Sequence, residues 1–452
     1  MQRTLQFGLA AAFVGALLVP GAYSAKPPVK KPAAKKTAAK KSPAKKAPAP
    51  VRSIASSEFV ERALEAGLGL PVENPAALVP FFEQLYRHQR GELPGPVRVL
   101  QYGDSHTAAD EFSGELRALF QGSFGNGGSG FSIAGKPFTS YRRRDVKSGS
   151  SNGWHTDGLA TRTGDGVYGL GGLSMTATAP RESVFLETDA SDFELFYYQQ
   201  PGGGSVRLYD AGVPFDMLST AGDARPGYYR VAASPGLHHF EVETLERGPV
   251  RLFGWVAENT TGITYETFGI NGAQASIATQ WDPATLRDNL EHRNPDLIVL
   301  AYGTNEAGMP KWTLEAYQEL FTNILREFRE ASPTASILVL GPPDRAQKVK
   351  RQRQTRWETM ARIGIIAEAQ RRAALSMGCA FLDLRAEMGG PGSMQEWVNA
   401  GQAQPDHVHF TTPGYRKLGD AVYSDIMNQY AAFVKARSSI MAGTPAGPSQ
   451  IK

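Results

Sequence analysis

Only one of the 452 residues is cysteine, Cys379, so an internal disulfide is excluded; an oxidising compartment is permitted but not exploited. Acidic side chains are missing from the first 50 residues, which hold Arg3 and nine lysines. That one-sided tail produces the formal net charge of +4, because the remainder carries 38 Lys and Arg against 44 Asp and Glu. A mildly acidic body with a basic arm lacks the electrostatic footprint of a nucleic-acid-binding domain, and no nucleic-acid partner is expected. Long apolar runs are scarce too. Phe7–Val19 is short for a membrane span of about 20 residues, and no later stretch is long and apolar enough to cross a bilayer. No cluster of His, Cys, Asp and Glu has metal-ligand spacing, so no metal is expected.

What is present divides the chain by texture. Residues 1–24 combine Arg3, the apolar stretch and small residues at Ala22 and Ser24, the pattern of a cleaved export signal; a retained membrane anchor is the alternative. Residues 25–50 alternate Lys, Ala and Pro with no large apolar side chain, which predicts a disordered tether. Such a tether either contacts an anionic envelope surface or acts as a solvated spacer. Residues 437–452 read as a second disordered tail. Between the tails, 51–136 is helical with one strand, and Asn74 stands where it could cap a helix opened by Pro75. Residues 137–258 hold separate short runs such as "SVFLET", "DFELFYY" and "SVRLYD" divided by Gly, Pro, Asp and Ser, which predicts an all-β sandwich. From 259 to 436, the apolar strands "DLIVLAYG", "SILVLG" and "AFLDL" alternate with amphipathic helices, as in a parallel sheet covered on both faces. The expected fold is therefore an α/β domain interrupted by an all-β insertion.

The chemistry gathers at strand ends. "YGDSH" places Ser105 directly after an apolar strand, at the carboxyl edge where open α/β sheets form their sites. A serine needs a base within hydrogen-bond reach and a group to orient that base. The loop "QPDHVHFTTPGY" offers Asp406 and His409, three residues apart, ahead of a helix that Thr412 could cap. His407 is the competing base, although in an extended segment it would face the other way; His106 reads as structural. An attacked ester also requires donors for its developing oxyanion. "FGINGAQAS" supplies Gly272 on a glycine turn, and "YGTNEAG" supplies Asn305 just past a strand.

These blocks, Ser105 in "GDSH", Gly272 in "GINGA", Asn305 in "GTNE" and Asp406 with His409 in "DHVH", stand in the order of the SGNH (GDSL-type) hydrolases, which the sequence resembles across roughly 300 residues. The fourth residue of the first block is His106 instead of the usual leucine. "GDSHTAADEFSGELRALFQGSFGNGGSGF", a β-rich insertion and "GITYETFGINGA" further resemble the exported peptidoglycan O-acetylesterases of Gram-negative bacteria, in which a carbohydrate-binding-like module interrupts the hydrolase domain. The resemblance implies a three-layer α/β/α fold, a periplasmic location and no cofactor. It also implies a serine esterase that removes acetyl from muramic acid through an acetyl-serine. Ser105, Asp406 and His409 would be the catalytic triad; Ser105, Gly272 and Asn305 would form the oxyanion hole. The implied partner is an acetylated glycan. Three other readings remain open at this level: an esterase for another envelope polysaccharide, an acetyltransferase on the same scaffold, and a non-catalytic glycan-binding protein.

Two motifs carry less. "GDGVYG" (164–169) spells a dinucleotide-binding pattern but has no strand-turn-helix around it, and "FGNGGSGF" (124–131) resembles a phosphate cradle without its lysine. In the insertion, Trp154, Tyr197 and Tyr198 are aromatics that could stack on sugar rings or lie in the core.

Overall fold

A computed structural model describes residues 58–65, 71–160, 163–351 and 354–443. The export-signal and tether readings, 1–50, lie outside the described residues, as does 444–452.

Five parallel strands form the central sheet in the order Ile263–Gly269, Val97–Gly103, Leu297–Ala301, Ser336–Gly341 and Ala380–Asp383. Nearly every residue of these strands is buried, because helices cover both faces. On one side, Leu314–Ala331 and Ala361–Ser376 pack through Tyr317, Phe321, Ile324, Ile363 and Ile366. On the other, Val79–Gln89, Phe112–Phe124 and Thr412–Gly443 enclose Phe82, Phe120, Val422 and Phe433. The chain order gives an α/β/α domain whose three adjacent strands 263–269, 97–103 and 297–301 end at one edge.

The region between Gly130 and Glu258 is antiparallel β, with nine strands joined in one hydrogen-bonded sheet. It begins before the expected boundary at 137: Gly130–Ile133 already pairs with Val250–Glu258. The two runs "SVFLET" and "DFELFYY" are one strand, Ser183–Gln199, paired along its length with Arg225–Thr244. A bulge between Ala190 and Asp192 breaks the alternation that would have marked a single strand, and it bends the sheet. One face gathers around a core of its own containing Val184, Phe193, Leu208, Phe240 and Trp255. The other face, with Phe131, Phe196 and Phe253, joins the α/β core at Phe268, Trp281 and Leu290.

Three local expectations change. Asn74 is left-handed (φ 51°) and caps nothing; its amide donates to the Cys379 carbonyl at 3.0 Å. The last helix runs from Thr412 to Gly443, past the expected end at 436, because "KARSSIMA" is composed mostly of helix-tolerant residues. Its first-turn side-chain acceptor is Thr411 Oγ1, 3.4 Å from the Gly414 amide, rather than Thr412.

Candidate active site

Gly103 ends its strand where a side chain has no room. A Cβ there would collide with the Thr107 side chain and lie 2.7 Å from the Ala301 carbonyl oxygen. The short helix Ser105–Ala108 can therefore turn tightly off the sheet edge. Asp104 fixes that turn: its Oδ1 accepts from the His106 amide at 3.0 Å. Burial pushes the Asp104 carboxyl up to about 6, against the opposing pull of that amide and neighbouring groups.

Ser105 Oγ lies 3.0 Å from His409 Nε2, and His409 Nδ1 lies 2.7 Å from Asp406 Oδ2. Asp406 Oδ1 also accepts from the amides of Val408, at 2.9 Å, and His409, at 3.0 Å. Partial burial pushes the Asp406 carboxyl up, but the His409 ring and these amides outweigh it and hold the group below its usual value. An ionised Asp406 favours the tautomer with Nδ1 protonated, leaving Nε2 free to take a proton from the serine. Sequence separation of 304 residues between Ser105 and His409 is closed by the sheet edge.

The loop is a turn, not the extended segment expected. His407 has φ 59° and is buried, its ring stacked on Trp357 at 3.6 Å between centroids. Its nitrogens face Pro405 O and Gln395 Oε1, away from Ser105. His106 is also buried, with Nδ1 3.1 Å from the Tyr415 hydroxyl. Burial, helped by the nearby His409, pushes its pKa down to about 3, so it stays neutral beside the site.

Gly272 and Asn305 follow the two strands flanking Val97–Gly103. Gly272 is left-handed (φ 74°), a conformation that favours glycine. Among the described residues, neither the Ser105 nor the Gly272 amide donates to a backbone carbonyl. Asn305 Nδ2 donates one hydrogen to the Ala273 carbonyl at 2.8 Å, which orients the amide and leaves its second hydrogen available. Next to it, buried Glu306 accepts from the Ala275 amide at 2.6 Å and the Tyr317 hydroxyl at 2.7 Å. Burial pushes the Glu306 carboxyl up to about 7. Consecutive side chains thus latch the strand-end segment 305–306 onto 273–275. No local pattern marks Glu306, whose partners are about 10 and 30 residues away.

Ser105 and His409 open into a cleft of about 390 Å³, lined also by Glu111, Ser140, Arg142, Asn271 and Gln404. That volume falls within the range of small-ligand sites, roughly 300–1,000 Å³. The aromatics singled out in the insertion do not line it. Tyr197 is 4% exposed and belongs to the core; Trp154 and Tyr198 are half-buried, the first bonded to the Ser183 carbonyl and the second beneath Arg251. Among the described residues, no group of three or more His, Cys, Asp and Glu could hold a metal ion.

Residues 234–417 match the GDSL-like lipase/acylhydrolase family, a stretch that contains Gly272, Asn305, Asp406 and His409 and omits Ser105. Among solved structures, one described as a peptidoglycan O-acetylesterase in action is similar, with TM-score 0.66 and 27% identity over 78% of this chain and 96% of that one. A family two carbohydrate esterase from Cellvibrio japonicus (TM-score 0.27, 12% identity, 63% and 99% coverage) and the salicylyl-acyltransferase SsfX3 (0.29, 12%, 64% and 98%) are too distant to carry an argument. No curated protein matches the chain.

Proposed function

We propose that this carboxylic ester hydrolase, whose residues 234–417 match the GDSL-like lipase/acylhydrolase family, removes O-acetyl groups from peptidoglycan, at the muramic acid sugar. The observation that carries the substrate is the likeness, over most of both chains, to a peptidoglycan O-acetylesterase. The chemistry rests on the hydrogen-bond chain from Ser105 through His409 to Asp406.

In this reading His409 takes the Ser105 proton at Nε2 as Oγ attacks the acetyl carbonyl. The amides of Ser105 and Gly272 and the free Asn305 hydrogen stabilise the tetrahedral oxyanion. His409 then protonates the departing sugar oxygen, leaving acetyl on Ser105. Water, deprotonated by the same nitrogen, attacks the acetyl-serine and releases acetate, and Ser105 recovers its proton. Asp406 stays ionised throughout and holds the imidazolium. No metal or cofactor takes part in this scheme. The acidic body, the export-signal pattern of residues 1–24 and the lysine-rich composition of residues 25–50 support an exported protein working in the periplasm, with the basic stretch against an anionic envelope surface.

The test is acetate release from O-acetylated peptidoglycan, from the same material de-acetylated with base, and from acetylated xylan. Acetate from the first alone, or far faster than from xylan, supports the proposal. Preference for xylan would assign the enzyme to another polysaccharide, and transfer of acetyl to an added glycan in place of release would make it a transferase.

A further inference from the structure

Three arginines stand in a row, 142–144, in the segment between the first strand of the antiparallel sheet, Gly130–Ile133, and the next, Lys147–Ser150. Two are committed to structure. Arg143 is buried; it bonds the carbonyls of Ser129 and Phe131 and pairs with Asp145 at 2.7 Å. Arg144 pairs with Glu111 at 2.8 Å, and its amide donates to Asp110 Oδ2. Arg142 is exposed and, among the described residues, its guanidinium has no carboxylate partner.

Its place is fixed by what surrounds it. The Tyr141 amide donates to the Phe138 carbonyl at 3.0 Å, and the two rings pack edge-on at 5.8 Å. Ser140 Oγ accepts from Asn271 Nδ2 at 3.2 Å, tying this segment to the turn that carries Gly272. Ser140, Arg142 and Asn271 line the same cleft as Ser105 and His409. The carboxylate on that lining is Glu111, which Arg144 neutralises. The cleft lining therefore keeps one guanidinium with no carboxylate partner among the described residues, a planar donor suited to a carboxylate.

We propose that Arg142 is the anion-recognising group of the substrate cleft and takes a carboxylate carried by the O3 substituent of the acetylated sugar. This rests on the function proposed above, because muramic acid carries such a substituent and plain hexosamines do not. The carboxylate has two sources: the lactyl group itself once its peptide is removed, or the peptide still attached to it.

The test compares kcat/KM for acetate release from three soluble oligosaccharides: O-acetylated muropeptide with peptide attached, the same sugar with its lactyl carboxylate free, and O-acetylated chitin oligosaccharide, which has no carboxylate. Wild type should prefer an anionic substrate over chitin oligosaccharide. Arg142→Gln should lower that preference by about tenfold or more, through KM rather than kcat, and Arg142→Lys should recover part of it. Added salt should compress the wild-type preference. The arm with the larger loss identifies the carboxylate. An unchanged preference in Arg142→Gln, with unaltered circular dichroism, overturns this inference alone. If wild type releases acetate from the chitin oligosaccharide and from neither muramic substrate, the proposed function fails and this inference fails with it.

Discussion

His407 and His409 stand two residues apart and do unlike things. His409 is half-exposed, with its two nitrogens between Ser105 and Asp406; His407 is buried, stacked on Trp357 and bonded to Gln395 and a backbone carbonyl. A general base supplies about 10²–10⁴ in rate. His409→Ala should therefore lower kcat/KM for a chromogenic acetyl ester by at least that amount at little cost in stability. His407→Ala should reverse the pattern, with a lower melting temperature and a rate close to wild type, since it removes buried packing without touching the serine. Rates and melting curves of the two variants check this; equal rate losses would mean that the base is misassigned. The hydrogen-bonded set Ser105, His409 and Asp406 was legible in the sequence because its members stand in two short blocks, one at a strand end and one in a turn ahead of a helix. Arg142, Asn271 and Glu306 were not. Their partners lie far along the chain, and no local pattern distinguishes them from ordinary polar residues.

At the scale of elements, the segment after the Leu297–Ala301 strand is held to the segment after Ile263–Gly269 by Asn305 and Glu306. Glu306 is buried and its carboxyl is pushed up to about 7 from 4.5. A carboxyl raised in this way contributes stability that is fully present below the unfolded value and is lost as pH rises through the folded one. Glu306→Gln keeps an acceptor for the Ala275 amide and the Tyr317 hydroxyl and cannot ionise. The stability difference between wild type and this variant should shift in the variant's favour by about 3 kcal/mol as pH rises from about 5 to about 9. Urea denaturation across that range measures it, and contributions from other titrating groups cancel in the difference. A pH-independent difference would show that Glu306 is not held neutral. The parallel strands were legible as continuous apolar runs, whereas Ser183–Gln199 was read as two strands because its bulge resets the alternation of faces.

Across the whole molecule, the inserted sheet is not a detachable ornament. Phe131, Phe196 and Phe253 share one core with Tyr102, Phe268 and Trp281 of the α/β domain. Behind them, Arg293 bonds Glu258 from the sheet's last strand at 2.5 Å, and Arg98 bonds the same carboxylate at 2.9 Å. Removing the insertion would expose that apolar face and take Glu258 away from half-buried Arg98 and from buried Arg293, which would keep Glu266, so its contribution to activity is better probed by point substitutions than by excision. Its last strand is followed by the strand Ile263–Gly269 that leads to Gly272, and the segment between its first two strands puts Ser140 and Arg142 on the cleft wall. The central claim joins one residue to one substrate: Ser105 accepts acetyl from peptidoglycan. Initial rates of acetate release from O-acetylated peptidoglycan, for wild type and a Ser105→Ala variant with unchanged circular dichroism, test it most directly. The account predicts release by wild type and a fall of about 10⁶-fold, to background, in the variant. Release by the variant within about a hundredfold of wild type would contradict it, because the remaining oxyanion donors and binding contacts cannot supply that much of the rate without the nucleophile.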